Sequence, residues 1–514
     1  MVSDPCRKSL SIHILAILLL LTLGQAPVSL FGIPQRVERT HAFSERSNHS
    51  SLLGENINKI LRFSSNKLVS TDDSVYPEHV EPTLAISDED DLFVGYKNAE
   101  YHKTGGVRVS FVMSTDYGNN WSHPFDMTHF RSYLSSRMSD PWMVWRNGVL
   151  HYSYIEWDDN ASFTQVTLAR SFDKGGSWKL QTASHGSGFA DKDMMIVSDD
   201  AIYIAYNDVG DQWNEKLSRS LDGGETFEDT ANITDVPRDV QAGTYLAIDS
   251  QKRIYVAFLI VNSTTRMGDI YLDVSTNGGD SFGAERDVNP EGNHSAFEIT
   301  NDEYGARPGK ISLPVIRFDN DDRLILLWAD KSEPEGSWDV YLKFSEDYGL
   351  TWSNRTVVNP VTAGNAWMPD MDIDSEGRVH IAWLDEVNSV YRPYYRSVSF
   401  SEGDFFSGNR EIIAELSPVI SIGDQWTSSY FTRPGDYLTL RVDSQNIPHV
   451  VWTDGRSGEL DIYYSHAILK KEETIQGSDD SSTPGFTLFF LFGAFLAIIS
   501  MNDRTRKDRF SAAR

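Results

Sequence analysis

The chain has 514 residues, with 46 Lys and Arg against 74 Asp and Glu, a formal charge of −28. Apolar residues make up 40% and aromatics 12%, enough for a large core and too many for a disordered chain. The acidic balance excludes nucleic acid as the expected partner, because phosphate binding needs a basic face. The only cysteine is Cys6, which rules out a disulfide framework within the chain.

The first segment, 1–26, reads as a secretory signal. Arg7 and Lys8 precede an apolar run from Leu10 to Leu23. Residues 27–65 are a polar linker rich in Ser and Asn. The long middle, 66–469, is a repeat. Ser114-Thr-Asp116-Tyr-Gly118-Asn-Asn-Trp121 is its first copy, and Ser171-Phe-Asp173-Lys-Gly175-Gly-Ser177-Trp178 its second. Copies centred on Asp222, Asn277 and Asp347 follow, and a degenerate one spans Ser399 to Phe406. The spacing suits a hairpin turn. The Asp carboxylate accepts N–H groups of its own loop, Gly supplies a positive φ, and the aromatic packs into a sheet.

Short strands surround each copy. Tyr245–Asp249 and Ile254–Phe258 precede the fourth, and Met371–Asp374 and Val379–Trp383 recur later. Four strands per unit predict an all-β propeller blade. Units open near Pro82, Pro141, Met194, Tyr245, Leu313, Met371 and Leu438, giving seven blades, with six as the alternative. The last unit lacks a fourth strand. Asn66–Ser70 is expected to supply it and close the ring.

The chain then reads as a linker over 470–485, an apolar membrane or sorting segment over 486–501, and a basic tail over 502–514. The order Pro484-Gly485-Phe486, apolar run, basic cluster resembles the archaeal PGF-type sorting tail. A plain transmembrane anchor is the alternative. Either reading puts the middle of the chain at the cell surface. Seven Asn-x-Ser/Thr sequons, from Asn48 to Asn354, permit glycosylation there.

The repeated turn is the Asp-box, or BNR repeat, so residues 66–469 resemble the sialidase-like Asp-box propellers. The resemblance implies a structural role for Asp116, Asp173, Asp222, Asn277 and Asp347. It leaves activity open, since the box occurs in enzymes and in receptors. In such a topology the boxes lie on one face. The loops leading into strand one and those between strands two and three share the other, where ligands bind.

That second face is acidic here. Second strands end in Asp158, Asp208, Asp330, Asp385 and Asp454, several of them beside Trp or Tyr. First strands begin through Glu81, Asp140, Asp193, Asp370 and Asp436. Such carboxylates fix turns, hold a hard cation such as Ca²⁺, or bind an extracellular glycan or protein. A sialidase also needs an arginine cluster for the substrate carboxylate, a Tyr nucleophile and an acid. The resemblance points to Arg137, Arg307, Arg433, Tyr437 and Asp140 for those roles. The family's Phe/Tyr-Arg-Ile-Pro motif is missing. The reading is therefore a surface-anchored binding propeller, with a sialidase-type glycoside hydrolase and a cell-surface structural module as alternatives.

Overall fold

The computed structural model describes residues 60–469 except 72–75, 101–107, 129–135, 159–163, 185–187, 210–212, 235–240, 263–267, 289–296, 303–304, 312, 332–335, 361–363, 403–411 and 428–433. The expected signal, most of the first linker and the C-terminal segments lie outside the described residues. Every regular element among the described residues is a β-strand.

The strands form seven antiparallel blades. Blade 1 is Glu78–Ile86, Leu92–Ala99, Arg108–Ser114 and Phe125–Asp126; blade 2 is Ser136–Arg146, Val149–Asp158, Thr164–Ser171 and Lys179–Thr182. Blade 3 is Phe189–Val197, Ile202–Val209, Trp213–Ser220 and Glu228–Asn232; blade 4 is Gln241–Ile248, Ile254–Val261, Gly268–Ser275 and Arg286–Asp287. Blade 5 is Val315–Phe318, Leu324–Asp330, Asp339–Ser345 and Thr356–Val357; blade 6 is Asn365–Ile373, Val379–Val387, Val390–Glu402 and Ile412–Leu416. Blade 7 takes Thr439–Val442, Pro448–Asp454 and Asp461–Leu469 from the end of the chain. Each strand one touches the next, and that of blade 7 touches that of blade 1, so the ring closes.

Closure uses the start of the chain. Lys67–Leu68 pairs with Tyr464 and Tyr463, as expected from the sequence. The pairing begins earlier than expected, with Ile60–Phe63 against Leu469, Ile468 and Ala467. Ser70 Oγ donates to Asp461 Oδ1 at 2.9 Å, tying residues far apart in sequence. The seam leaves no open edge on the third strand of blade 7.

Five of the seven innermost strands share one irregularity. Their ladders slip at Val80/Thr83, Ser139/Trp142, Asp191/Met194, Ala242/Tyr245 and Trp367/Asp370. Each slip holds a residue at positive φ: Glu81, Asp140, Lys192, Gly243 and Met368. A proline follows at Pro82, Pro141 and Pro369, where a missing N–H cannot serve the ladder. The result is a ring of bulges around the central axis.

The repeated turn is built as its chemistry suggests. Ser171 Oγ donates to Asp173 Oδ1 at 2.8 Å, and Gly175 N donates to Ser171 Oγ at 2.7 Å. Ser177 N and Ser177 Oγ close on the two Asp173 oxygens at 2.8 Å each. The same bonds recur at Asp222 and Asp347. At Asp116 the i+4 residue, Asn120, bonds through its N–H and its side-chain amide, and Asn277 replaces the second acceptor with an amide donor to Ser281. Positions 399–402 of the degenerate copy continue strand three of blade 6, and its remainder lies outside the described residues.

These turns also join blades. A Cβ on Gly175 would meet the Phe111 ring of blade 1 at 2.3 Å, and one on Gly118 the Tyr464 ring of blade 7 at 2.0 Å. Trp121 and Trp178 stack edge-on against Tyr464 and Phe111, with centroids 5.3 Å apart in each case. The turns share a face with the turns between strands one and two. Tyr117 Oη donates to Asp443 Oδ2 at 2.6 Å, and Lys174 Nζ to Asp91 Oδ2 at 2.6 Å. The loops leading into strand one therefore open on the opposite face. Between the faces, Trp328, Trp383 and Trp452 are fully buried, each worth about 2–3 kcal/mol of burial.

Gly118→Ala is expected to destabilise the chain by about 2–3 kcal/mol, from overpacking and a forbidden φ together. Gly148→Ala, at positive φ but with nothing within 4 Å, is expected to cost about 1 kcal/mol. Urea unfolding of the two variants checks the difference.

Candidate functional site

The bulges aim side chains into the central channel. A cavity there has an empty volume of about 650 Å³, with solvent at its mouth included. Its wall carries Asp140, Lys192, Asp193, Asp370 and Asp436 among polar groups. Trp142, Tyr245 and Tyr437 supply aromatic surface, and Met194, Leu313, Val315, Met368 and Leu438 the rest.

Lys192 crosses the channel from blade 3. Its ammonium bonds Asp140 Oδ1 of blade 2 at 2.9 Å and Asp436 Oδ2 of blade 7. Glu81 of blade 1 pairs with Lys97 at 3.3 Å, both side chains almost fully buried. Burial alone would raise the Asp140 carboxyl; the Lys192 and Lys97 charges overcome it and hold Asp140 below the usual range. Asp193 goes the other way. Burial pushes it well above the ordinary value, the Asp140 charge adds to that, and the Ser153 hydroxyl only partly opposes them. Asp191 rises to about 6, through burial and then the Asp140 charge. Burial and neighbouring charges thus shift the Asp140 and Asp193 carboxyls in opposite directions. Burial also keeps Tyr437 a phenol, and its Oη donates to Pro141 O at 3.0 Å.

Two arginines pack against residues of the cavity wall. Arg441 bonds Asp370 Oδ2 at 2.9 Å and lies 5.3 Å over Trp142; Arg317 lies 4.8 Å over Tyr245. Cation–π contacts of this kind gain strength when desolvated.

The expected site residues fall in several places. Asp140 and Tyr437 line the cavity. Arg137 is half-buried three positions before Asp140, opposite Trp157 in the ladder. Arg307 pairs with Thr300 in a hairpin, Phe297–Asp302 with Gly305–Ile311, inserted before blade 5. Its side chain and all of Arg433 lie outside the described residues. The Asp residues ending the second strands do not line the cavity. Asp385 and Asp454 accept the indole N–H of Trp383 and Trp452 at 2.8 and 2.9 Å. Arg456 adds a second bond to Asp454, at 2.5 Å. Asp208 accepts from Lys216 at 2.5 Å and from Gly188 N at 2.6 Å. Asp330 is buried opposite Asp339, and Asp158 is half-buried opposite Ser136. Burial raises Asp385 to about 6.

Sequence reasoning missed the two lysines and Glu215. Glu215 is fully buried on strand three of blade 3 and accepts from Asn207 and Thr244, the latter a cavity residue. Its alternating strand gave a weak signal, an acid flanked by residues that point the other way.

No protein-family model matches this chain, and no curated protein matches it. Solved structures similar to it include an alpha-L-arabinanase of Penicillium chrysogenum complexed with arabinobiose. That match has 13% identity and a TM-score of 0.45, over 69% of this chain and 98% of that one. The NanB sialidase of Streptococcus pneumoniae is similar at 10% identity and TM-score 0.43, over 63% of this chain and 67% of its own. A GH93 alpha-L-arabinofuranosidase of Fusarium graminearum is similar at 13% identity and TM-score 0.42, over 79% and 97%.

Burial raises the Glu215 carboxyl to about 7, against an ordinary 4.5. A carboxyl raised in the folded state contributes stability at low pH. That contribution is present below about pH 4.5 and is lost as the pH climbs through 7. Glu215→Gln is therefore expected to match the parent near pH 5 and to exceed it at pH 8. The gain should be on the order of 3 kcal/mol. Chemical denaturation at the two pH values measures it.

Proposed function

We propose that this chain is an exported, surface-anchored Asp-box propeller that binds an extracellular ligand in the central cavity. The observation that carries the reading is the convergence of Asp140, Lys192, Asp193 and Asp436 on one cavity open at the mouth of the channel. Carboxylates and an ammonium offer acceptors and donors to hydroxyl groups, and Trp142 and Tyr437 offer faces for a sugar ring. The ligand is a neutral or basic glycan, or a protein segment of like character. No arginine is among the described residues lining the cavity, so an anionic sugar finds no guanidinium there and meets carboxylates instead. Export and anchoring rest on the two ends of the sequence.

A second reading is a glycoside hydrolase. The opposite shifts of Asp193, raised, and Asp140, lowered, favour it, since an acid and a base with separated pKa values are what such a reaction uses.

The test is a panel of neutral, amino and sialylated glycans, scored for binding and for sugar release by the full chain. Binding of neutral or amino glycans without release, weakened at least about tenfold by Asp436→Asn, is expected. Release of sialic acid that Arg307→Ala abolishes would make the chain a sialidase-type enzyme instead.

A further inference from the structure

The same cavity carries a second kind of recognition. Glu81, Asp140 and Asp436 come from blades 1, 2 and 7, and each is buried. One oxygen from each lies within 4.8 Å of the other two. Oxygens on opposite sides of a Ca²⁺ ion, each about 2.3–2.6 Å away, are separated by about that span. Asp193 is an independent observation. It is 6% exposed and lines the cavity that Asp140 and Asp436 line, and neither of its oxygens meets a partner in good hydrogen-bond geometry; the Ser153 hydroxyl beside it eases its burial only in part. A buried acceptor left unpaired is costly, and a ligand that supplies positive charge removes the cost.

The Lys192 ammonium already sits between Asp140 and Asp436. It shows that these two carboxylates are arranged about a positive centre. The side chain is long, unbranched and 17% exposed, so its head can leave toward the channel mouth.

We propose that Glu81, Asp140, Asp436 and Asp193 form a divalent-cation site, for Ca²⁺ in preference to Mg²⁺, at which the ion displaces the Lys192 ammonium. A set of carboxylates contributed by separate blades suits the larger ion, which accepts irregular oxygen coordination. The inference stands on the carboxylates alone. Ion binding is read without any glycan, so it and the glycan reading fail separately.

The experiment titrates chelator-treated full chain with CaCl₂ alone, by calorimetry, with MgCl₂ in parallel. One saturable site per chain is expected, with a dissociation constant of about 10⁻⁴–10⁻³ M, as in extracellular Ca²⁺ modules. Asp436→Asn should weaken it at least about tenfold, through a lost charge and ligand. Lys192→Met should tighten it about tenfold, because the competing ammonium is gone. The Lys192→Met result stands even where Asp436→Asn does not fold. No saturable heat below about 10 mM would overturn the proposal, well above the expected range. So would binding that Lys192→Met leaves unchanged or weakens, and so would binding insensitive to a folded Asp436→Asn.

Discussion

The bulge in five of the seven innermost strands is the feature on which the rest of the structure depends. A regular strand would alternate its side chains between the two faces of the blade. The extra residue, held at positive φ, breaks that alternation and sends Glu81, Asp140 and Lys192 toward the axis. Left-handed conformation at a non-glycine residue costs on the order of 1 kcal/mol, and it recurs in blade after blade.

The bulges hold their positions because the outer parts of the blades are locked. Each repeated turn satisfies its own N–H groups through one Asp or Asn and presses its glycine on the preceding blade. The seam between blades 7 and 1 uses the same device, Gly118 against Tyr464, beside the strand pairing that joins the chain ends. Buried relays back it up. Asp443 Oδ2, His449 and Tyr464 Oη are linked at 3.1 and 2.7 Å, and Asp374, His380 and Tyr395 repeat the chain at 3.0 and 2.7 Å in blade 6. The ring then carries a polar cavity in which one ammonium, Lys192, is shared by Asp140 and Asp436.

Local chemistry was legible in the sequence, and convergence across the ring was only half so. The Ser-x-Asp-x-Gly turn is complete within eight residues, so its spacing reveals the hydrogen bonds, while the count of seven blades comes from the strand pairs around it. The strand-one acids Asp140, Asp193, Asp370 and Asp436 were also visible, because each stands just before an apolar strand. Their cations were not. Lys192 reaches Asp436 across 244 positions of sequence, and nothing local marks that lysine as different from a surface one. The second-strand acids looked equally repetitive, but indole N–H groups two residues away engage Asp385 and Asp454 outside the cavity wall. The N-terminal strand was underestimated for a similar reason: Ile60–Phe63 is a short, irregular partner with no alternation to betray it.

The central claim is that recognition occurs at the bulges of the innermost strands and at the loop that enters blade 7. Hydrogen exchange of the full chain, with and without a glycan found to bind it, tests this most directly. The account predicts added protection in peptides covering 80–84, 138–143, 191–195 and 434–438, with the Asp-turns unchanged. Protection confined to the Asp-turn face or to the outer strands, with those four segments unchanged, would contradict it.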